Sequence, residues 1–350
     1  MSEQTTELPG KIESVDQLEE LLSRPTDDCI EALKRTEGDI IVLGVAGKMG
    51  PTLARMARRA LVAANASSRK VIGVARFSNP QHQKDLEKHE IHTIKADLLD
   101  QKALDKLPDA PNIVYMPAMK FGSTGAEALT WAMNSYLPGM CAQRYAKSKI
   151  VAFSTGNIYG LSPVVHGGTT EESEPNPSGD YAMSCLGRER MFEHFSRVNG
   201  TKTAVIRLNY ATELRYGVFV DIAQNVYAGN EINLAMGAMN AIWQGDANAV
   251  TLAAFDHVSI PPFVLNLSGP ELFSLRRIAT DFGKLMNKTP KFTGVESADA
   301  LISNCQKCHR FFGYPTVTSG LMMEWIAEWV MSGGASLGKP THFETRDGKF

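Results

Sequence analysis

A regular alternation of short apolar runs and helical patterns between residues 39 and 208 constrains the fold more than any other feature of the sequence. The runs are rich in β-branched residues and bounded by polar, glycine or proline residues, which is typical of strands. They lie at residues 39–43, 70–75, 91–95, 112–115, 149–154 and 203–208. Helical patterns separate them, at residues 50–64, 81–89, 101–107, 124–146 and 181–198. This order predicts an α/β fold with a doubly wound parallel sheet of the Rossmann type.

The chain on either side of this block is organised differently. Residues 1–37 predict an N-terminal extension of two short helices, at 15–22 and 26–35. Residues 38–208 form the predicted Rossmann domain, and residues 209–350 form a smaller substrate-binding lobe. Within that lobe we expect a strand at 263–267, a helix at 320–331 and, from residue 339, an irregular tail that lies over the surface.

Charge and composition limit the classes of partner. Lys and Arg number 36 against 38 Asp and Glu, for a net charge of −2, so no global field attracts nucleic acid. The sequence has neither a signal-like start nor an apolar run of bilayer length. Its five cysteines form neither a disulfide framework nor, around the single Cys305-x-x-Cys308 pair, a complete zinc site. We therefore expect a cytoplasmic protein without a metal, whose partner is a small molecule and not nucleic acid or a membrane.

Three glycines, Gly44, Gly47 and Gly50, follow the first run and open the next helix. At these positions a side chain would hold the backbone away from a bound pyrophosphate, whose charge favours the free amides and the positive end of a helix start. A tight turn alone would also explain a Gly-x-x-Gly-x-x-Gly string. The strand before it and the helix after it favour a dinucleotide site instead.

The end of the second run indicates which dinucleotide binds. An Asp or Glu at that place would hydrogen-bond the adenosine ribose of NAD, but Arg76 stands next to it and no acid is present there. A guanidinium suits a 2′-phosphate, so the sequence favours NADP over NAD. A solvated arginine at the end of a strand is the alternative explanation.

Two further motifs complete an ordered set along the chain. Ser154-Thr155-Gly-Asn-Ile-Tyr-Gly ends the fifth run, and Tyr181-x-x-Ser184 opens the last helix of the block. Together with the glycine loop, these motifs make the chain resemble the extended short-chain dehydrogenases/reductases. The likeness is strongest to the NAD(P)-dependent sugar-nucleotide epimerases and dehydratases. It extends from about residue 39 to 208 and more faintly to about residue 330.

The resemblance implies roles for particular residues. Thr155 and Tyr181 match the catalytic hydroxyl and the acid/base, and Asn134 matches an asparagine of the family's long helix. With the glycines and Arg76 included, the predicted dinucleotide contacts are Gly44, Gly47, Lys48, Met49, Gly50, Arg76, Asp97, Leu98, Ala118, Lys120, Tyr181 and Asn209. The family often forms homodimers, and here the pairing helices would be those at 124–146 and 181–198.

The chain departs from the family at Cys185, which stands where the Tyr-x-x-x-Lys motif has its lysine. In the family the ammonium keeps the tyrosine phenolate accessible while hydride moves to or from the nicotinamide. A free tyrosine has a pKa of about 10, so without a nearby cation only about one molecule in a thousand is ionised at neutral pH. We therefore expect oxidation to be slow unless another positive charge substitutes.

Three groups are candidates for that charge: Lys120, Arg188 and the oxidised nicotinamide. Lys120 is preferred because the family precedent places it beside the cofactor, whereas Arg188 is expected to be a solvated helix residue. For Cys185 itself, a small buried thiol is favoured over a nucleophile.

The sequence leaves two functions of different classes open. The first is an NAD(P)-dependent oxidoreductase or epimerase that acts on a sugar or sugar derivative, with Thr155 and Tyr181 next to the reacting atoms. The second is a protein that binds NAD(P) as a sensor or scaffold and has lost turnover, which Cys185 would explain.

Overall fold

Seven parallel strands form the central sheet of the computed structural model, which describes residues 7–120 and 122–349. In chain order they are β1 (Ile40–Leu43), β2 (Val71–Ala75), β3 (Ile91–Lys95), β4 (Asn112–Tyr115), β5 (Lys149–Thr155), β6 (Thr203–Leu208) and β7 (Phe263–Leu267). Across the sheet the order is β3-β2-β1-β4-β5-β6-β7. The predicted doubly wound fold is confirmed, because every pairing is parallel and the order reverses at β1. The first six residues of the predicted extension and the last residue of the predicted tail lie outside the described residues.

Helices cover both faces of the sheet and build the lobe beside it. They are α1 (Val15–Leu22), α2 (Asp27–Arg35), α3 (Gly50–Ala63), α4 (Pro80–Glu87), α5 (Gln101–Asp105), α6 (Glu127–Trp131), α7 (Leu137–Arg144), α8 (Gly179–Asn199), α9 (Val218–Ala228), α10 (Gln244–Ala253), α11 (Leu275–Met286), α12 (Gln306–Phe312) and α13 (Ser319–Met331). Along β1, Ile40 and Val42 pack with α2, α3 and α10, whereas Ile41 and Leu43 pack with α5, α7 and α8. Side chains alternate across a strand, so these two core clusters are the two faces of the sheet.

The helix predicted at 124–146 begins later, at Glu127, and is not regular throughout. A π-helical turn, Ala132–Tyr136, separates α6 from α7, and the amide of Leu137 donates to the carbonyl of Ala132. Pro138 accounts for the interruption, because it has no N–H to donate to the carbonyl four residues earlier. That carbonyl belongs to Asn134, one of the predicted site residues.

Two elements after residue 208 belong to the layers of the Rossmann domain. β7 pairs with β6 from one end to the other, and α10 packs against α2 and α3. The Rossmann layers therefore also contain residues that follow the predicted domain division at residue 208. Without β7, strand β6 would expose an unpaired edge.

The lobe has a core of its own, which α9, α11 and α13 share with helix α1 of the N-terminal extension. Short strands complete it in four pairs: Ser162–Pro163 with Asp299–Ala300, Ala211–Thr212 with Ile242–Trp243, Glu231–Asn233 with Lys291–Thr293, and Ala238–Met239 with Phe273–Ser274. The tail from residue 339 forms no helix or strand within the described residues, as predicted. Its Phe343, however, is buried in the lobe core and does not lie over the surface.

None of the helices in the described part of the chain is both long and apolar enough to cross a bilayer.

Candidate active site at the carboxyl edge of the sheet

The glycine loop lies in the crevice between β1 and β4. Gly44 has a left-handed φ of +77°, and a Cβ there would lie 2.9 Å from the backbone nitrogen of Pro117. A Cβ on Gly50 would collide with the carbonyl of Val45, so only glycine lets α3 begin this close to the strand. Gly47 is exposed, and no side chain within the described residues caps the start of α3. This arrangement fits a diphosphate, which would accept hydrogen bonds from the first amides of α3.

Lys48 extends from this loop towards the lobe. Its Nζ lies 3.4 Å from the centroid of the Tyr216 ring. Burial lowers the pKa of Lys48 to about 7, and the positive charges of Lys339 and Lys120 act in the same direction. A diphosphate at the loop would supply the negative charge that favours a protonated lysine. Met49, the neighbouring predicted contact, is half-buried at the N-cap of α3.

The predicted adenosine contacts lie at the carboxyl ends of β2 and β3. Arg76 directly follows β2 and is exposed. Asp97 follows β3, is exposed, and accepts a hydrogen bond from the amide of Leu99 at 3.1 Å, while Leu98 is buried. The exposed Ala118 follows β4. The structure therefore places these residues at the same edge of the sheet as the glycine loop.

Tyr181 and Thr155 meet at the carboxyl end of β5. Thr155 is the last residue of that strand, and its hydroxyl accepts hydrogen bonds from the amide of Asn157 at 3.2 Å and from its side chain at 2.9 Å. Tyr181 lies in the first turn of α8, and its hydroxyl hydrogen-bonds with Thr155 and with the thiol of Cys185. Burial raises the pKa of Tyr181 well above its usual value, and Cys185 acts in the same direction. The phenol is therefore neutral at physiological pH.

Two cations lie near this pair of hydroxyls. The Nζ of Lys120 is 5.7 Å from the centroid of the Tyr181 ring, and burial lowers the pKa of Lys120 to about 8. The prediction that Arg188 is solvated is wrong, since this residue is only 3% exposed. Its guanidinium donates to the carbonyl of Phe153 at 2.9 Å and to Oδ1 of Asn134 at 3.0 Å. Burial dominates the pKa of Tyr181, but the charge of Arg188 lowers it.

Residues 40–210 match the model of the NAD dependent epimerase/dehydratase family. This segment contains the glycine loop, Thr155 and Tyr181. The predicted family resemblance is therefore confirmed.

Solved structures share the fold of this chain over most of its length. UDP-glucose 4-epimerase from Thermotoga maritima, solved with UDP-glucose, is 18% identical with a TM-score of 0.69, and the match covers 84% of this chain and 99% of that one. dTDP-glucose 4,6-dehydratase from Streptomyces venezuelae, with NAD and TYD bound, is 17% identical with a TM-score of 0.69. That match covers 84% of this chain and 97% of the dehydratase. UDP-glucuronic acid 4-epimerase from Bacillus cereus, in complex with NAD, is 18% identical with a TM-score of 0.67. That match covers 84% of this chain and 99% of the epimerase. No curated protein matches the sequence.

Cys185 lies one helical turn beyond Tyr181. The thiol is fully buried, and burial raises its pKa; the charge of Arg188 and the hydrogen bond with Tyr181 offset this only in part. A buried, protonated thiol is a weak nucleophile. The geometry therefore favours the packing role for Cys185 over the nucleophilic one.

Asn134 is fully buried and holds its neighbours in place. Its Oδ1 accepts hydrogen bonds from the amide of Met119 at 2.8 Å and from Arg188 at 3.0 Å. Its Nδ2 donates to the carbonyl of Met119 at 2.9 Å and to the hydroxyl of Ser184 at 3.0 Å. The predicted catalytic role of Asn134 stays a prediction. Asn134 is a positioning residue that ties the loop carrying Lys120 to α8.

Asn209 is a predicted site residue that directly follows β6, and its predicted contact with the cofactor stays a prediction. It is buried, and its Nδ2 donates to Oδ1 of Asn240 at 2.9 Å and to the carbonyl of Leu301 at 3.5 Å. The next residue, Tyr210, has a left-handed φ of +49°, which is uncommon for a bulky side chain. The side-chain position of Asn209 gives no support to the predicted contact with a nicotinamide.

A buried polar network beneath the crevice was missed by sequence reasoning. Glu189 of α8 accepts a hydrogen bond from Ser154 at 2.5 Å and pairs with Arg207 of β6 at 2.7 Å. Arg207 also donates to the hydroxyl of Tyr159 at 2.5 Å, and that hydroxyl donates to Asn266 of β7 at 2.8 Å. The network fixes the helix that carries Tyr181 against three strands. The available signal was a charged residue inside an otherwise apolar strand, because buried charges need partners.

Proposed function

We propose that this protein is an NAD(P)-dependent oxidoreductase or epimerase that acts on a sugar or sugar derivative by hydride transfer. The observation that carries the proposal is the hydrogen bond between Tyr181 and Thr155 at the sheet edge that also holds the glycine loop. The family match supports a nicotinamide dinucleotide. The structural neighbours described above are sugar-nucleotide epimerases and a dehydratase, which supports a sugar as the substrate.

In this proposal the nicotinamide supplies or accepts the hydride. Thr155 hydrogen-bonds the reacting oxygen of the substrate, and Tyr181 moves the proton at that oxygen. Burial keeps Tyr181 neutral, so it is ready to donate a proton when a carbonyl is reduced. Oxidation needs the phenolate, and therefore depends on positive charge nearby.

We assign that charge first to Lys120. Its Nζ lies 5.7 Å from the Tyr181 ring, and it reaches the site from the loop after β4 and not from α8. Because its pKa is lowered to about 8, Lys120 loses its charge as the pH rises above that value. Arg188 keeps its charge throughout, since its neighbours Cys185, Tyr115 and Tyr181 raise its pKa against the effect of burial.

The central experiment separates binding from turnover. The purified protein is titrated with NADPH and NADH by intrinsic fluorescence, and absorbance is then followed with UDP-glucose, UDP-glucuronic acid, dTDP-glucose and free sugars. We expect Tyr181→Phe to bind the dinucleotide like the wild type and to lose about 100-fold or more in turnover. Full activity in Tyr181→Phe, or no dinucleotide binding in the wild type, would contradict the proposal.

NADP is the preferred cofactor in this proposal. The exposed Arg76 directly follows β2, where its guanidinium can pair with a 2′-phosphate. We expect Arg76→Ala to weaken NADPH binding about tenfold, which corresponds to about 1.4 kcal/mol, and to leave NADH binding nearly unchanged. Equal affinities of the wild type for both dinucleotides would argue against this preference.

A sensor or scaffold is the second candidate, and the buried thiol of Cys185 in place of a cation favours it. This alternative predicts dinucleotide binding without turnover on any sugar between about pH 6 and pH 10, the range in which tyrosine begins to ionise. Turnover that depends on Tyr181 would exclude it.

We also propose a homodimer through α6, α7 and α8. Apolar side chains are exposed on this helical region, at Leu129, Trp131, Tyr136 and Met183. A second copy of the chain would remove them from water. Light scattering measures the mass directly, and a monomer at micromolar concentration would contradict this part of the proposal.

A further inference from the structure

Residues 337–349, which we call the strap, begin beside the phosphate end of the crevice. The amide of Leu337 donates to the carbonyl of Arg215 at 3.1 Å. The next residue is Tyr216, and the Nζ of Lys48 lies 3.4 Å from the centroid of its ring. The start of the strap therefore lies against the segment that contacts the glycine loop.

The middle of the strap is anchored to the lobe. The amide and the hydroxyl of Thr341 both donate to Oδ2 of Asp221, at 2.7 and 2.5 Å. Phe343 is 6% exposed and packs in the lobe core. Arg346 donates to the carboxylate of Asp299 at 2.5 Å and to its carbonyl at 3.1 Å. These contacts hold the strap in one position.

The far end of the strap reaches the catalytic helix. The hydroxyl of Ser178 donates to the carbonyl of Asp347 at 3.4 Å. A Cβ on Gly179 would collide with the carbonyl of Gly348, and a Cβ on Gly348 would collide with that of Ser178. Only glycine allows this approach, and Gly179 lies two residues before Tyr181. The strap therefore runs from the segment that contacts the glycine loop to the start of the helix that carries Tyr181.

Exposed charged side chains of the strap shift the pKa values of Lys48 and Lys120. Glu344 is 48% exposed, and its charge opposes the lowering of the pKa of Lys120 by burial. Lys339 is exposed, and its charge adds to the effect of burial in lowering the pKa of Lys48. The charges of Lys339 and Lys120 both disfavour a protonated Lys48, and a bound diphosphate would offset this effect.

We propose that the strap is the outer wall of the dinucleotide site and that Lys339 is a further contact for the cofactor's diphosphate. The inference rests on the proposed function, because it requires that a dinucleotide binds at the glycine loop. Release of the cofactor then requires the strap anchors to open, so the strap slows dissociation.

Lys339→Met tests the diphosphate contact, and Lys349→Met is its matched control, since Lys349 is an exposed lysine in the same strap. We expect Lys339→Met to weaken NADPH and NADH binding about fivefold to tenfold at low ionic strength, and less at high salt, because screening weakens exposed charge interactions. Lys349→Met should bind like the wild type.

Thr341→Val and Arg346→Gln test the wall. We expect each substitution to raise the dissociation rate of NADPH about tenfold. The rate is measured from the fluorescence change after excess NADP⁺ is added to the NADPH complex. Hydrogen exchange of residues 337–349 should slow when NADPH is added to the wild type. If the wild type binds NADPH but Lys339→Met keeps its affinity and both anchor variants keep its dissociation rate, the strap proposal is wrong and the proposed function stands. If the wild type binds no dinucleotide, both are wrong.

Discussion

A phenol and a thiol share a hydrogen bond at the centre of the candidate site, and burial keeps both protonated. Tyr181 and Cys185 therefore carry no charge at neutral pH, although two cations lie close to them. In the proposed mechanism, Lys120 and Arg188 stabilise the phenolate as it forms. The charge of the missing helix lysine would then come from two other places.

The substitution Cys185→Lys restores the family's motif. We expect the added ammonium to lower the pKa of Tyr181. Each lowering of that pKa by one should raise kcat/KM for oxidation at pH 7 about tenfold. The pH profile of oxidation should move to lower pH, while Cys185→Ser, which adds no charge, should leave the profile in place. An unchanged rate and profile in Cys185→Lys would mean that Lys120 or Arg188 already sets the ionisation of Tyr181.

Lys48 makes the stability of the protein without cofactor depend on pH. Its pKa is about 7 in the folded protein, against about 10.5 for a free lysine, so between these values the unfolded chain binds more protons. Stability should therefore rise with pH across this window. We expect Lys48→Met to flatten the rise and to stabilise the protein below pH 7, as measured by urea unfolding between about pH 6 and pH 10. The exposed Lys70→Met serves as the control, and a slope retained in Lys48→Met would assign it to other groups.

The helices and strands differ in how well the sequence predicted them. The sheet strands were predicted to within one residue at either end, because they are short runs rich in β-branched residues with polar, glycine or proline residues at their ends. The π-helical turn at Ala132–Tyr136 was not predicted, since the pattern of residues 124–146 is that of one regular helix. Arg188 was misassigned for a related reason. Its partners, Phe153 and Asn134, come from other elements, and the periodicity of α8 contains no information about them.

Asn134 connects the π-helical turn to both cations of the site. Asn134→Ala would remove four hydrogen bonds and leave buried partners, including the guanidinium of Arg188, without them. We expect the free energy of unfolding to fall by about 3 kcal/mol, and oxidation to fall more than dinucleotide binding, because Lys120 and Arg188 lose their positions. Urea unfolding measures the change in stability. A comparison of kcat for oxidation with the Kd of the dinucleotide measures the effect on catalysis. Asn199→Ala, at an exposed asparagine of α8, should change neither, and a wild-type kcat in Asn134→Ala would remove its positioning role.

The two ends of the chain join the Rossmann layers to the lobe. The N-terminal extension places α1 in the lobe core and α2 in the Rossmann core, while the strap connects the lobe to the start of α8. The sequence predicted both segments as peripheral, because neither shows the alternating pattern of the central block. Their contacts are made with residues hundreds of positions away in the chain, such as Pro9 with Trp325, and local patterns do not reveal them. The crevice that holds Tyr181 therefore depends on contacts from the whole chain.

This arrangement leads us to expect that the two cores unfold together. Leu18 is buried in the lobe core and Leu33 in the Rossmann core, and Leu→Ala at either position should lower the free energy of unfolding by about 3 kcal/mol. Far-UV circular dichroism reports the whole molecule, and tryptophan fluorescence reports mainly the lobe, where Trp243, Trp325 and Trp329 are buried. Because α1 and α2 bridge the cores, Leu33→Ala should shift both signals to the same lower urea midpoint, whereas the half-exposed Val62→Ala should shift neither. Two separate transitions, or a lobe signal that does not move in Leu33→Ala, would show that the lobe is stable without the Rossmann layers.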